Sequence, residues 1–235
     1  MVPYDRRNLS FWHFREIYFL QLESQLLMPG QAKVLSHQDI QNVFKHLDSQ
    51  RDKTIFALGV YTGMRITEIC SLKKDQVFTT GGIKYILVVP RLKKKNTVYS
   101  EIPITPKLRQ ALFDYKKYLE RTERERLENR DHNYYFGHVY EQAESPWLFP
   151  SAESEAGHFT RKQAHNILAT AFKSLKIEGA KTHSMRRTLL TTLSRAGVPL
   201  RTVQEISGHA SLSQLQAYLE VDPEDKQRAM GMVKY

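Results

Sequence analysis

Apolar residues recur at three- and four-residue intervals along most of this chain, and the pattern breaks clearly at one place. Helical spacing runs through Ile40, Val43, Phe44 and Leu47, through Ile66, Ile69 and Leu72, and through Leu108, Leu112, Tyr115 and Leu119. It returns in Ile167, Leu168, Ala171, Phe172 and Leu175, in Met185, Leu189, Leu190, Leu193 and Ala196, and in Leu212, Leu215, Tyr218 and Leu219. This period places one face of a helix in a core. Between Gly81 and Ile104 the period changes. Gly81-Gly82 signals a hairpin turn, Ile83–Val89 is rich in β-branched residues, and Thr97–Ile104 is a further extended run. The pattern predicts a mainly α fold with a small three-stranded antiparallel sheet (α+β), in which Pro103 confines its strand to an edge.

Local signals bound these elements. Ser36 with Asp39, and Thr160 with Gln163, read as capping boxes, and Phe159 can staple Ala164. Thr105-Pro106 reads as an N-cap and first helical residue, and Thr182 as the N-cap of the helix through Met185. Gly63 suits the left-handed position that ends a helix near Thr54–Thr62, and Gly197 with Pro199 ends the Thr182 helix. Ser10 opens an aromatic helix through Phe11, Phe14, Ile17 and Tyr18 that stops at Met28-Pro29-Gly30. We therefore expect an N-terminal helical segment over 1–30 and one domain over 31–235, closed by a helix after Asp222-Pro223. Glu120–Arg130, dense in both charge signs, is expected to be a solvated helical extension. Tyr134, Tyr135, Phe136, Tyr140, Trp147 and Phe149 are expected to pack on the core from a loop.

Charge narrows the partner. The 235 residues carry a net charge of +10, which favours a polyanion. A single cysteine, Cys70, excludes an intramolecular disulfide framework and fits a reducing compartment. No apolar run approaches the ~18 residues of a membrane span, and Arg15, Glu16 and Gln21 interrupt any signal-peptide pattern. A cytoplasmic, DNA-associated protein is the expectation. His132, His138, His158 and His165 lack metal-ligand spacing, so no metal is assigned.

His183 and Arg186 stand three apart in the first turn of the Thr182 helix, on one face. Cations there oppose the helix dipole by a few tenths of a kcal/mol each. A bound anion would offset that cost, since free N–H groups, dipole, imidazole and guanidinium would all face it. Arg65, just after Gly63, repeats the arrangement at another helix start, with a salt bridge to Glu68 as the alternative reading. Both stretches read as parts of a phosphate-binding catalytic site.

Thr62-Gly63-Met64-Arg65-Ile66-Thr67-Glu68, the Lys93-Lys94-Lys95 turn, His183-Ser184-Met185-Arg186, Gly208-His209 and Tyr218 follow one another in this order. Together they resemble the catalytic domain of the tyrosine recombinase (phage integrase) family over Lys33–Tyr218. The resemblance implies that Arg65, Lys95, His183, Arg186, His209 and Tyr218 are catalytic and that Glu68 orients its neighbours. Counting back from Pro103 by the family's spacing selects Lys95, with Lys93 and Lys94 as alternatives. Lys93, Lys94 and Arg187 are then expected to contact DNA. About thirty residues cannot supply the several-helix core-binding domain of most members, so how DNA is clamped is left to a partner or another segment.

The implied reaction is cutting and rejoining of double-stranded DNA through a 3′-phosphotyrosyl intermediate, by a homotetramer on paired sites, for integration, excision or inversion of a mobile element. Tyr218 would attack the phosphate. A phenol is mostly protonated near neutral pH, so His183 or His209 would assist proton movement. Arg65 and Arg186 would each offer a planar fork to the non-bridging oxygens, His209 a further hydrogen bond, and Lys95 a proton for the leaving 5′-oxygen. No cofactor or ATP is implied, because the phosphotyrosine conserves the bond energy. Two other classes share these residues: an accessory or regulatory DNA-binding protein of the same fold, and type IB topoisomerase-like relaxation. An accessory DNA-binding partner is a further expectation.

Overall fold

The computed structural model describes residues 31–92, 97–128, 145–216, 218–219 and 230–231. The helix expected within 1–30, the Lys93–Asn96 turn, Tyr134, Tyr135, Phe136 and Tyr140, and most of the helix expected after Pro223 lie outside these residues.

Helix α1 (His37–His46) opens on the expected box, Ser36 N–H donating to Asp39 Oδ2 at 2.9 Å and Asp39 N–H to Ser36 Oγ at 3.1 Å. Helix α2 (Gln50–Thr62) stops as Gly63 turns to φ 63°, where any side chain would be strained. Two short helices follow, α3 (Ile66–Cys70) and α4 (Lys74–Val77). The strands are β1 (Phe78–Thr79), β2 (Gly82–Ile83), β3 (Ile86–Leu92) and β4 (Thr97–Pro103). After them come α5 (Pro106–Glu128), α6 (Arg161–Ser174), α7 (Thr182–Arg195), α8 (Leu200–Ser207) and α9 (Leu212–Gln216). Helix α6 carries its expected box, Thr160 N–H on Gln163 Oε1 at 2.8 Å and Gln163 N–H on Thr160 Oγ1 at 3.2 Å.

Two expectations need correction. Helix α7 is capped by Lys181, so Thr182 is its first helical residue. A Thr182 cap would have the apolar Met185 at its third helical position. The shift by one puts Ser184 there, and its Oγ accepts the Lys181 N–H at 3.0 Å. The second concerns the sheet. Instead of three strands in one sheet there are two antiparallel pairs, β1 with β2 and β3 with β4. The chain breaks its ladder at Lys84-Tyr85, where Arg109 from α5 donates to Ile83 O at 2.8 Å and Lys84 O at 3.0 Å. Backbone bonds flank that break on both sides, Lys84 N–H on Val77 O at 2.9 Å and Ile104 N–H on Tyr85 O at 2.8 Å, so the chain passes from the short β1–β2 hairpin straight into the β3–β4 ladder without pairing along one continuous strand. Strand β3 also runs through Pro90 to Leu92, which a two-stranded ladder tolerates because each strand keeps a free edge.

Helix α2 forms the centre of the core. Ile55, Phe56, Ala57 and Leu58 are buried on every side, and α5, α6 and α7 pack around them. Gly59 lets α7 come close, since a Cβ there would lie 2.4 Å from Met185 Sδ. That approach sets Gly63, at the end of α2, beside Arg186 on α7. Phe149 is fully buried against Tyr115, as expected for the loop before α6. A second, smaller apolar cluster joins Leu190 of α7, Val203 of α8 and Leu215 of α9, and Tyr218 and Leu219 pack against it. No helix among the described residues is long and apolar enough to cross a membrane.

Candidate active site

Arg186 projects from α7 into the junction between α2 and the end of α8 and is 1% exposed. Its Nη1 donates to Gly63 O at 2.6 Å and its Nη2 to Ser207 O at 2.7 Å. The same Nη2 lies 3.2 Å from His209 Nε2. Burial, then the neighbouring Arg65 and Arg91 guanidinium groups, push Arg186 down to about 10, still fully charged at neutral pH. Its Nε–H is buried without an acceptor in the protein.

His209 follows Gly208, which ends α8 at φ 67°. The ring is 5% exposed. Ser207 Oγ donates to Gln204 O at 3.1 Å and therefore accepts from His209 Nδ1, 2.7 Å away. This assigns the proton to Nδ1 and leaves the Nε2 lone pair for Arg186. Burial, then Arg186, Arg65 and Arg91, drop His209 to about 4, so the ring is neutral at pH 7. Both ring nitrogens are thus engaged inside the protein. The ring stands 4.8 Å, centroid to centroid, from the ring of Tyr218. The Arg186 guanidinium carbon lies 5.9 Å from the same Tyr218 centroid. Tyr218 is half-buried, its N–H on Leu215 O at 2.8 Å.

Arg65 caps α3, and Glu68 grips it twice: Arg65 N–H donates to Oε2 at 2.7 Å and Arg65 Nη1 to Oε1 at 2.9 Å. The salt bridge weighed from sequence therefore exists, and it holds a guanidinium whose side chain is 41% exposed. Burial alone would raise the Glu68 carboxyl, but Arg91 and the Arg65 N–H overcome it and hold it below its usual range. His183, on the exposed side of α7, is made less basic by partial desolvation and by Arg186, Arg161 and Arg65. Four separated parts of the chain thus meet: the start of α3, α7, the end of α8 and Tyr218, two residues past α9.

Arg91 belongs to this cluster and was missed from sequence. It lies two residues before the Lys93-Lys94-Lys95 turn, and no motif singles it out. In the fold it lies on the inner face of β3, 2% exposed. Its Nη1 donates to Glu68 Oε2, its Nη2 to Ile206 O at 3.0 Å and its Nε to Ser100 Oγ at 3.3 Å. The signal available in sequence was inward alternation through Leu87 and Val89, which continues to position 91. Gly208 packs on its stem, where a Cβ would lie 2.9 Å from Arg91 Cδ.

Lys93, Lys94 and Lys95 lie outside the described residues. Arg187, expected to contact DNA, faces elsewhere. It is 5% exposed, and its guanidinium donates to Ala32 O at 2.5 Å, Gln31 Oε1 at 2.7 Å and Tyr218 O at 3.3 Å.

Comparison with known proteins bears on the family and the fold. The chain is 27% identical over 215 residues to the tyrosine recombinase XerC-like protein of Caldanaerobacter subterraneus subsp. tengcongensis, covering 85% of this chain and 53% of that protein. It spans about half the length of the curated relatives it matches. The crystal structure of XerA recombinase shares the fold with a TM-score of 0.66 and 20% identity, over 88% of this chain and 68% of that one. A XerH site-specific recombinase, bound to a palindromic difH substrate, superposes with a TM-score of 0.62 and 18% identity, over 88% of this chain and 54% of that one. The phage integrase family itself matches residues 33–225. With that match over most of its length, the chain belongs to the phage integrase family.

Proposed function

We propose that residues 31–235 act as the catalytic domain of a site-specific DNA recombinase that cuts and rejoins double-stranded DNA through Tyr218. The observation that carries this reading is the convergence of Arg186, His209 and Tyr218, at 3.2 Å and 4.8 Å, within electrostatic range of Arg65. The Arg186 guanidinium held rigidly beside a phenol, with Arg65 in electrostatic reach of Arg186 and His209, suits a phosphodiester, whose charge grows as a fifth oxygen approaches phosphorus. The orphan Arg186 Nε–H supports the same assignment, since a buried donor without a partner costs about 1–3 kcal/mol and an incoming anion would relieve it.

In the reaction, Tyr218 Oη attacks phosphorus and gives up its proton, the bond to the 5′-oxygen breaks, and that oxygen takes a proton from Lys95. Neutral His183, depressed in basicity and exposed, is the acceptor for the tyrosine proton. Arg65 and Arg186 bind the non-bridging oxygens. His209 orients Arg186 and walls in Tyr218, and Glu68 fixes Arg65. Losing either arginine fork would cost about 3 kcal/mol of transition-state stabilisation, roughly a hundredfold in rate. Relatives bound to DNA in solved structures support DNA as the partner, and assembly as a homotetramer on paired sites follows from strand exchange between two duplexes. Lys93 and Lys94 are further proposed contacts to the duplex.

The test is incubation with supercoiled plasmid without metal or ATP, wild type beside Tyr218→Phe. A protease-sensitive protein–DNA adduct from wild type alone supports the reading. An adduct that survives Tyr218→Phe removes Tyr218 as nucleophile. Tight binding with no adduct on any site tried moves the protein to the accessory class.

A further inference from the structure

Arg187 is a buried cation with no carboxylate partner among the described residues. Its acceptors are neutral: Ala32 O, Gln31 Oε1 and Tyr218 O. An ionised group withdrawn from water in this way is costly, and neutral carbonyls compensate it less well than a counter-ion does. An arginine chosen only to stabilise α7 would be poorly placed. What the placement achieves is a bridge. On one side is the segment that leads into the domain, fixed along α7 by Leu35 N–H on Thr188 Oγ1 at 2.8 Å and near it by Lys33 N–H on Gly179 O at 3.0 Å. On the other side is the backbone of Tyr218, which follows the short helix α9 and is also held by its N–H on Leu215 O, by the His209 ring and by one small apolar cluster. A planar fork spans two or three acceptors in fixed directions, which an ammonium cannot do.

We infer that Arg187 is a positioning residue for the nucleophile: it ties the backbone of Tyr218 to the incoming segment at Gln31-Ala32, so that the placement of that segment sets the reach of the phenol. This rests on Tyr218 being the nucleophile. It replaces the reading of Arg187 as a DNA contact, which its burial does not favour.

The two readings separate in one experiment on the full chain, with Arg187→Met, Arg187→Lys and wild type. Under the positioning reading, DNA affinity and its salt dependence are unchanged in Arg187→Met. The rate of adduct formation at saturating DNA falls by about a hundredfold, the effect of an ångström-scale misplacement of a reacting group. Arg187→Lys, which retains a cationic donor group without the planar fork, recovers part of that rate. Affinity loss with a salt slope shallower by about one, and an unchanged rate in the bound complex, would instead make Arg187 a phosphate contact and overturn the proposal. A ring fluorine on Tyr218, read by NMR in the folded protein without DNA, decides the point even if no adduct forms on the substrate used. A resonance shifted in Arg187→Met and nearly restored in Arg187→Lys supports positioning. A resonance unmoved in both, with only the unfolding midpoint lowered, reduces Arg187 to a stabilising residue and also overturns it.

Discussion

Replacing Gly208 by alanine tests the contact that joins the β3–β4 hairpin to the histidine of the site. Two costs arise. The residue sits at φ 67°, and a non-glycine there loses about 1–2 kcal/mol to the clash of Cβ with its own backbone. The added methyl would also lie 2.9 Å from both Cδ and Nε of Arg91, well inside the ~3.5–4.0 Å of a relaxed carbon contact. Arg91 cannot swing clear freely, because Glu68, Ser100 and Ile206 hold its guanidinium on separate sides. Retreat forfeits at least one hydrogen bond to a charged group, about 1.5–3 kcal/mol. Gly208→Ala should therefore destabilise by about 3–4 kcal/mol in total. Gly197→Ala is the internal control, since it shares the left-handed backbone at φ 78° but meets nothing within 4 Å. It should show only the backbone cost of about 1–2 kcal/mol. Urea titration of both variants against wild type, at equal m-values, gives the comparison directly. If backbone movement absorbs the clash instead, His209 moves with it and adduct formation falls in Gly208→Ala alone. Equal stabilities and equal rates for the two variants would refute the account of Arg91 as a rigid wall behind Gly208.

Two further outcomes follow from the same cluster. His209 is held near 4 in the fold against about 6.5 in an unfolded chain, so the unfolded state binds the proton first. Its contribution is complete above about pH 6.5 and is lost as pH falls toward 4, by up to about 3 kcal/mol; His209→Gln should flatten denaturation midpoints over that window. Arg91→Met should cost about 2–3 kcal/mol, because it removes one of the two guanidinium partners of the part-buried Glu68 carboxylate and leaves Ile206 O and Ser100 Oγ without their donor. Adding Glu68→Gln to Arg91→Met should then cost much less than Glu68→Gln does alone, a coupling that a double-mutant cycle in urea measures.

Much of the helical framework was legible because its signals are local. The boxes at Ser36/Asp39 and Thr160/Gln163, and the left-handed glycines at 63 and 197, act within one turn of chain, so residue type and spacing suffice to read them. The α7 start was missed by one residue because serine at 184 competed with threonine at 182, and only which hydroxyl meets which N–H decides that.

By itself the sequence determined the mainly helical class, the single β-rich interval and the order of the residues now gathered around Tyr218, since each depends on periodicity or on chemistry spaced along the chain. The tertiary structure alone decided three things. Arg109 of α5 bonds the Ile83 and Lys84 carbonyls at the break between the two strand pairs, Arg91 is buried as the partner of Glu68, and Arg187 turns inward to Tyr218 rather than outward. All three are arginines, whose reach and five donors let them bond groups far away in sequence. Where such a side chain ends depends on which acceptors the fold leaves unpaired, and no local pattern carries that information.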